Sequence, residues 1–376
     1  MSIPVVDPAA YPQLFAAKAE QIQSQFAALN PPALARFDSP PSHYRMRCEF
    51  RVWHEGDDLF YVMFEIGEDP KKDRRLVRMD NYPVASERIN QLMPALLAAI
   101  KDWPLLRQRL FQVEFLTTLS GEALVTLIYH KPLTDEWETA ARQLQAQLGV
   151  SLIGRSRKQK RVLDRDHVWE TLEVEGRQLH YQQIEGSFTQ PNARVGEKML
   201  NWALSVTRPA AEPTRDLVEL YCGNGNFTLA LAPHFRRVLG TEISRTSVAA
   251  ARVNIERNQV DNVRVERLSA EEFALALADP QHPKALAYDL PGYDFSTLLV
   301  DPPRAGLDDA TREQARAFER IVYISCNPDT LLRDLTALSD THQIEQLAFF
   351  DQFPYTHHAE CGAYLVQRGK ASQTQG

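Results

Sequence analysis

The chain has 376 residues, of which 44% are hydrophobic and 24% charged, and its formal net charge is -7. This length allows two domains with separate cores, and the composition excludes a disordered or membrane-embedded class. The acidic balance argues against indiscriminate nucleic-acid binding, although local basic patches are compatible with it.

The first residues show no basic start followed by an apolar block, so we expect neither a secretory signal nor a membrane span, and a cytoplasmic location. The cysteines form no CxxC pair and have no metal-ligand spacing; they are Cys48, Cys222, Cys326 and Cys361. The sequence therefore predicts reduced thiols, no metal and no iron–sulfur cluster.

The first half is predicted to be an α+β module of helices and β-hairpins with basic loops. A helix within residues 1–30 precedes a Pro-rich loop, and hairpins are predicted over 44–64, 111–130 and 168–184, with helices over 86–100 and 134–148. Arg45, Arg47 and Arg51 alternate along one strand, so they share a face that is either solvated or faces RNA phosphates. Two basic runs, 71–78 and 155–161, suit a polyanion.

In the second half, apolar strands alternate with helices, which predicts a doubly wound, Rossmann-like α/β sheet. Its strands are predicted over 217–221, 238–241, 263–267, 297–300 and 321–325. Ligands of such sheets bind at the carboxyl ends of the strands, so the residues that directly follow each strand are the site candidates.

The first two strands are followed by a glycine turn and by an acidic residue. The turn, Tyr221-Cys-Gly-Asn-Gly-Asn-Phe-Thr, lets backbone approach a ligand before a helix begins. Thr228 replaces the third glycine of a dinucleotide fingerprint, which argues against an NAD or FAD enzyme. Glu242 can accept hydrogen bonds from both ribose hydroxyls of an adenosine, or it is an ordinary loop carboxylate.

Cys326 lies between an apolar strand that ends at Ser325 and a helix predicted to begin at Pro328, with Asn327 as its N-cap. A helix N-terminus favours an anion, so this thiol is expected to be more thiolate-like than a free cysteine. Alternatively, Cys326 is a small buried hydrophobe. Cys222 and Cys361 lie beside strands without a helix cap and are interpreted as packing residues.

Five motifs, in order along the chain, resemble the S-adenosylmethionine-dependent RNA uracil-5-methyltransferases. They are Phe188-Thr-Gln-Pro-Asn, the glycine turn, Asp301-Pro-Pro-Arg-Ala-Gly, Ile324-Ser-Cys-Asn-Pro and His358-Ala-Glu-Cys-Gly. The chain most resembles the members that act on the T loop of tRNA, because His43-Tyr-Arg-Met-Arg and Tyr129-His-Lys-Pro-Leu are also similar to their first half. Relatives acting on ribosomal RNA typically add a β-barrel and a four-cysteine cluster, which this sequence lacks.

The resemblance implies S-adenosylmethionine as cofactor, the T arm of tRNA as partner, an RNA-binding domain over 1–187 and a methyltransferase domain over 188–376. It implies Cys326 as nucleophile and Glu360 as general base. The implied cofactor residues are Gln190, Tyr221, Gly223, Asn226, Glu242 and Asp301. Phe188 would stack near the target base, and the other candidate RNA contacts are Arg45, Arg51, Phe111 and His130. We expect no membrane partner, no obligate protein partner and a monomer.

C5 of uracil is a weak nucleophile, so its methylation requires a thiolate to add at C6 and a base to remove the C5 proton. Glu360 suits the second step if the final strand, 361–367, runs antiparallel and brings its first residue to the edge occupied by Asp301 and Cys326. Burial there should raise its pKa. His357 and His358 are alternative bases.

Arg304 follows the two prolines at a position where base N-methyltransferases carry an aromatic residue, which argues against N-methylation of adenine or cytosine. Two other functions stay open at this stage. One is a ribosomal-RNA uracil-5-methyltransferase, and the other is a non-catalytic RNA-folding protein that keeps the methyltransferase fold.

Overall fold

The structure is a computed structural model that describes residues 3–67, 74–208 and 213–369. The chain divides into two compact units. The first unit comprises Pro40–Thr171, Gln183–Ala193 and the described residues before Ala10, and the second comprises Ala10–Ser39, Leu172–Gln182 and the chain from Arg194 onward. The division therefore differs from the predicted boundary after residue 187, because the N-terminal helix belongs to the second unit.

The described residues form helices and strands that we number in chain order. The helices are α1 (Tyr11–Gln25), α2 (Glu87–Ile100), α3 (Pro104–Arg107), α4 (Asp135–Leu148), α5 (Ala193–Thr207), α6 (Asn226–Leu231), α7 (Arg245–Arg257), α8 (Ala270–Ala278), α9 (Pro283–Ala287), α10 (Asp309–Ala315) and α11 (Pro328–Leu338). The strands are β1 (Ala35–Phe37), β2 (Arg47–Glu55), β3 (Asp58–Ile66), β4 (Arg74–Arg78), β5 (Leu110–Thr117), β6 (Ala123–Tyr129), β7 (Ser151–Ser156), β8 (Gln159–Val162), β9 (His167–Val174), β10 (Arg177–Ile184), β11 (Asp216–Leu220), β12 (Val238–Thr241), β13 (Val263–Glu266), β14 (Phe295–Val300), β15 (Arg320–Ser325), β16 (His342–Phe350) and β17 (Glu360–Gln367).

The first unit contains a sheet in the order β4-β3-β2-β5-β6-β7-β8 among the described residues. The predicted hairpins β2–β3 and β5–β6 are confirmed as antiparallel pairs. Ser86 and Thr134 cap α2 and α4 by accepting backbone N–H groups, which explains why both helices begin where the sequence indicates. Strands β4, β7 and β8 were not predicted, because β4 and most of β8 lie within the two basic runs and β7 ends in the second of them. Residues 71–73 of the first run lie outside the described residues.

The second unit contains a sheet in the order β1-β16-β17-β15-β14-β11-β12-β13, again among the described residues. The predicted strands β11 to β15 pair in parallel, and β17 runs antiparallel to β15 as predicted. Strands β11, β14 and β15 are buried almost throughout, as expected for a sheet covered on both faces. The α/β fold class is thereby confirmed.

The N-terminal segment completes one side of this second sheet. Strand β1 pairs in parallel with β16 at the sheet edge. Helix α1 contributes Ala19 and Ile22, and its C-cap Phe26 joins them, in the same hydrophobic cluster as Leu331 of α11. The sequence predicted this helix in the RNA-binding half, since periodicity identifies a helix but not the element that covers its apolar face.

The third predicted hairpin, β9–β10, forms a two-stranded sheet of its own. The division between the units passes through both of its strands, so the hairpin does not belong wholly to the first unit. No helix in residues 3–67, 74–208 and 213–369 is long and apolar enough to cross a membrane.

Candidate active site

Three neighbouring strands of the second unit bring Asp301, Cys326 and Glu360 to one edge of the sheet. Asp301 directly follows β14, Cys326 directly follows β15, and Glu360 is the first residue of β17. The β15–β17 register pairs Ser325 with Cys361, so one further step along the antiparallel ladder places Cys326 opposite Glu360. The predicted orientation of the final strand is thus confirmed.

Hydrogen bonds fix the turn that carries Cys326. Asn327 caps α11, since its side-chain oxygen accepts the Asp329 N–H at 3.2 Å. The Asn327 side chain also donates to the carbonyl of Arg304 at 2.9 Å, and Ser325 Oγ accepts the Asn327 N–H at 3.2 Å. The thiol is half-buried between strand and helix. Its turn is therefore tied to the loop that follows Asp301.

That loop is anchored a second time through the buried carboxylate of Asp334 on α11. Asp334 Oδ2 accepts the Leu307 N–H at 2.8 Å and the Tyr323 hydroxyl at 2.7 Å. Arg333 donates to the carbonyl of Ala305 at 2.9 Å. Gly306 has a φ of +75°, and a Cβ there would approach the side chains of α11, so only glycine fits.

The pKa of the Cys326 thiol is shifted in the direction opposite to the one expected from the sequence. Burial, and after it the carboxylates of Glu360 and Asp301, raise the pKa of the thiol to about 11, and the Arg304 guanidinium opposes this only in part. The prediction of a thiolate-like Cys326 is therefore wrong for this structure. A helix N-terminus contributes about 0.3 to 1 kcal/mol to an anion, which desolvation together with two nearby carboxylates outweighs.

The carboxyl groups of Glu360 and Asp301 titrate together. Glu360 is only 5% exposed. Burial, followed by the charge of Asp301, raises the pKa of Glu360 well above its usual range, as predicted, and burial also raises the pKa of Asp301. Two nearby carboxylates resist carrying two charges, so the pair retains a proton at a higher pH than either group alone. Because the raised pKa of Asp301 is about 7, the pair can exchange a proton near neutral pH.

The two alternative bases lie just before Glu360. His357 is exposed, whereas His358 is half-buried with its Nδ1 3.3 Å from a guanidinium nitrogen of Arg304. Burial, together with the charges of neighbouring groups including Arg304, lowers the pKa of His358. Its ring is consequently neutral at physiological pH, and Arg304 donates toward it.

The glycine turn and Glu242 form a cradle that fits an adenosine. Gly223 has a φ of +55° with open space where a Cβ would lie, and Gly225, with a φ of +82°, is the N-cap of α6. The two oxygens of Glu242 accept the N–H groups of Gly223 at 3.1 Å and Ser244 at 2.7 Å. Each oxygen keeps a lone pair, so the oriented carboxylate can also accept ribose hydroxyls.

Tyr221 and Asn226 flank this turn. Tyr221 has a φ of +63°, an uncommon conformation for a bulky residue at a candidate site. Asn226 opens α6, and its carbonyl accepts the Tyr181 hydroxyl at 2.9 Å. Asp301 lies at the end of the neighbouring strand β14, so five of the six predicted cofactor residues, all except Gln190, belong to one strand-end cluster.

Sequence reasoning missed two residues beside this cluster. Ile243 is 64% exposed directly after Glu242, and its signal was an apolar residue that follows a strand-end acid. Glu219 is buried in β11, where it accepts the Thr228 hydroxyl at 2.5 Å. Burial raises the pKa of Glu219 to about 8. Thr228, interpreted above only as a missing glycine, is thus the partner of a buried acid.

Phe188, predicted to stack near the target base, and Gln190, a predicted cofactor residue, belong to the first unit, whereas the remaining predicted cofactor residues belong to the second. The segment that carries Phe188 and Gln190 is held at both ends, by Arg47 of β2 and by Met46, the residue before that strand. Arg47 Nη1 donates to the carbonyl of Ser187 at 2.9 Å, and the backbone N–H of Met46 donates to that of Pro191 at 2.8 Å. Between these anchors Phe188 is 72% exposed. Its ring is available to a base.

The candidate RNA contacts Arg51, Phe111 and His130 form one stack in the first unit. The Arg51 guanidinium lies 4.0 Å from the centre of the Phe111 ring, which lies 3.9 Å from the His130 ring. Phe111 sits at a register shift in β5, and such bulges redirect a side chain. Arg45 is not part of the stack, since its Nε donates to the carbonyl of Arg47.

Arg45, two positions before β2, shares one face with the arginines of β2, as predicted. Arg45, Arg47 and Arg51 are partly exposed, while the intervening Cys48 and Phe50 are buried. This alternation is the expected pattern for a strand with one face on a core.

Acidic partners occupy most of the basic run 155–161. Arg155 makes two 2.6 Å hydrogen bonds to Glu185, and Arg161 makes 2.9 Å ion pairs with Asp135 and Glu138. Lys160 also lies 3.2 Å from Glu185. Two members of the run, Arg157 and Lys158, are exposed in the turn between β7 and β8. Most of this run is therefore an ion-paired surface.

In the part of the chain that the structure describes, no group of three or more His, Cys, Asp or Glu residues could hold a metal ion.

The sequence profile of the family described as tRNA (Uracil-5-)-methyltransferase matches residues 10–368. A curated relative from Chromohalobacter salexigens, named tRNA/tmRNA (uracil-C(5))-methyltransferase, is 60% identical over 99% of this chain and 100% of its own length. A relative of the same name from Acinetobacter baylyi is 54% identical over 94% of this chain and 98% of its own.

Among solved structures, the tRNA (uracil-54, C5)-methyltransferase of Pyrococcus abyssi in complex with S-adenosyl-L-homocysteine is similar to this chain. The TM-score is 0.73 at 20% identity, over 95% of this chain and 83% of that one. At this identity the likeness shows a shared fold.

Proposed function

Because the chain belongs to the tRNA (uracil-5-)-methyltransferase family, we propose that it methylates C5 of a uridine in the T loop of tRNA through a covalent bond between Cys326 and C6. The methyl donor is S-adenosylmethionine. The observation that carries the proposal is the β15–β17 register, which sets a thiol opposite a buried carboxyl group. The reaction needs one nucleophile and one base, and Cys326 and Glu360 suit these two roles.

The Cys326 thiol loses its proton to solvent, its sulfur adds to C6 of the uracil, and the C5–C6 π electrons move toward C5 and the O4 carbonyl. S-adenosylmethionine, when bound, supplies the methyl group as an electrophile. The Glu360 carboxylate then takes the C5 proton, the C5–H electrons re-form the C5–C6 double bond, and the C6–S bond breaks to release the Cys326 thiolate. The raised pKa of Glu360 suits it to this transfer.

The residues of the strand-end cluster fit the cofactor. Glu242, held by two backbone N–H groups, would accept the ribose hydroxyls, and the open space at Gly223 would let the turn approach the adenosine closely. Tyr221, Asn226 and Asp301 would complete this side. Gln190 is assigned to the cofactor on its motif, Phe188-Thr-Gln-Pro-Asn, alone. The cofactor assignment is supported by an oriented carboxylate that lies beside a glycine turn, with both at the ends of strands.

The first unit would hold the RNA. Exposed Phe188 is suited to support an extruded uridine, because bases stack on aromatic rings and a T-loop base must leave its own stack to react. The Arg51–Phe111–His130 stack offers a second aromatic surface with a positive charge on one side. The two curated relatives reported above carry both tRNA and tmRNA in their names, so both RNAs are candidates.

Methyl transfer from labelled S-adenosylmethionine tests the substrate. The protein is incubated with a tRNA transcript, with the same transcript carrying cytidine at the target position, and with ribosomal RNA. We expect label only in the intact tRNA transcript. Label in ribosomal RNA would favour the ribosomal uracil-5-methyltransferase, and label in no RNA would favour a non-catalytic folding protein.

Two variants test the covalent mechanism. Cys326→Ala should bind tRNA, form no denaturant-resistant complex and transfer no methyl group. Glu360→Gln should still add to C6 and methylate C5, yet stall before elimination, so that labelled RNA accumulates attached to protein. Near-normal turnover of Glu360→Gln without such an adduct would remove Glu360 as the base and favour His357 or His358.

A further inference from the structure

Helix α1 is attached to the second unit by a buried ion pair. Lys18 Nζ lies 2.7 Å from Asp351 Oδ1, and the two side chains are only 13% and 2% exposed. The Tyr11 hydroxyl donates to the other oxygen of Asp351 at 3.0 Å. Breaking such a pair leaves a buried charge uncompensated, so the pair holds α1 firmly to the residue that follows β16.

Residues 351–359 form the loop that joins β16 to Glu360, and we call it the base loop. Lys18 Nζ also donates to the carbonyl of Phe353 at 3.2 Å. That carbonyl accepts the Thr356 hydroxyl at 2.9 Å, and the Thr356 oxygen in turn accepts the His358 N–H at 3.2 Å. A chain of hydrogen bonds therefore runs from α1 to a residue two positions before the proposed base.

The attachment of α1 to the other side of the site is weaker. Gln25 Nε2 donates to Asp329 Oδ1 at 2.7 Å in the first turn of α11, close to Cys326, but this pair is exposed. Exposed polar pairs contribute little, whereas the Lys18 pair is buried. Loss of the Lys18 interactions should consequently disturb the base loop more than the turn that carries the nucleophile.

We propose that Lys18 is a positioning residue for Glu360: through Asp351 and the carbonyl of Phe353, it fixes the base loop so that the carboxylate reaches the C5 proton. The inference rests on the proposed role of Glu360. The affected step is proton removal, in which the C5–H electrons re-form the double bond and the Cys326–C6 bond breaks. Addition of Cys326 to C6, which precedes it, needs no movement of the base loop.

The test separates these two steps with tRNA that carries tritium at uridine C5. Tritium release reports proton removal, and denaturing gels report the covalent protein–RNA complex. Lys18→Met should slow tritium release about 10- to 100-fold, since a small displacement of a reacting group has effects of this size, and it should increase the methylated adduct at steady state. The initial rate of adduct formation should stay within about twofold of that of the unaltered protein.

Lys198→Met is a matched control. Lys198 pairs with Asp38 Oδ1 at 2.6 Å and donates to the Asp38 carbonyl at 2.8 Å in the same unit, so it forms a similar but more exposed ion pair whose hydrogen bonds go to Asp38 and not to the base loop. It should leave both rates unchanged. If Lys18→Met proves unfolded by circular dichroism, Tyr11→Phe is used instead, because it removes one hydroxyl from Asp351 without leaving a charge unpaired. It should also slow tritium release relative to adduct formation.

Glu360→Gln is measured in parallel to separate the inference from the function on which it rests. Adduct accumulation in Glu360→Gln and in Lys18→Met supports both. Two results would overturn the inference alone while the adduct still accumulates in Glu360→Gln. In folded Lys18→Met and Tyr11→Phe, adduct formation and tritium release would be slowed equally, or neither would be slowed. Absence of the adduct in Glu360→Gln removes the base itself and overturns both.

Discussion

Alkylation of Cys326 by iodoacetamide should show a thiol that ionises only at high pH. The buried setting and the two carboxylates raise its pKa from 9.0 to about 11. At pH 8 a thiol with a pKa of about 11 is about 0.1% ionised, against about 10% for a pKa of about 9, so alkylation should be about 100-fold slower than that of an ordinary cysteine. The rate should rise about tenfold per pH unit without a plateau below pH 10.

Labelling is followed in the native protein between pH 7 and 10, and the modified peptide is identified by mass spectrometry. Cys48, Cys222 and Cys361 are buried, so they should stay unmodified, and Cys326→Ser should abolish the labelling. Glu360→Gln removes one of the carboxylates and should shift the profile to lower pH. A plateau at or below pH 9 in the unaltered protein would refute the reasoning, because the helix N-terminus would then outweigh burial.

Two other predictions concern RNA binding. Replacing Arg157 and Lys158 together with alanine should flatten the log–log dependence of tRNA affinity on salt by about 0.7 to 0.9 per lost phosphate contact, whereas ion-paired Arg161→Ala should leave it nearly unchanged; filter binding across a salt series measures both. An unchanged slope in the double variant would mean that the turn does not contact RNA. Phe188→Ala should reduce methylation of tRNA, since stacking of a base contributes about 1 to 3 kcal/mol, while calorimetry should show unaltered binding of S-adenosylmethionine. Equal loss of cofactor binding would identify Phe188 as a packing residue.

The sequence was sufficient to predict the strand, turn and helix around Cys326 because all the signals there are local. The apolar run ends at Ser325, Asn327 is a capping residue, and Pro328 suits the first helical turn. The ionisation of the thiol was not predictable in this way. The carboxylates that raise its pKa belong to Asp301 and Glu360, which come from two other strands.

The same limit explains the other differences. Strand β1 consists of Ala-Arg-Phe, which has no strand pattern of its own, and it forms because β16 offers an unpaired edge. The run 155–161 is basic in sequence, but its charge is largely matched by Asp135, Glu138 and Glu185 from other elements. Local patterns predict elements and strand ends, whereas pairing partners and local charge depend on contacts between distant residues.

The pairing of Ala35–Phe37 with Ala348–Phe350 has a consequence for synthesis of the protein. Helix α1 and β1 leave the ribosome before Pro40–Thr171, but β16, the strand that completes their side of the sheet, emerges after it. The main part of the first unit, Pro40–Thr171, is translated in between and can fold before the partners of α1 have been synthesised. Throughout that interval the apolar side chains of Ile22 and Phe26, which end up buried, have no native surface to cover them. Nascent chains that stall before β16 should therefore recruit chaperones through their N-terminal helix.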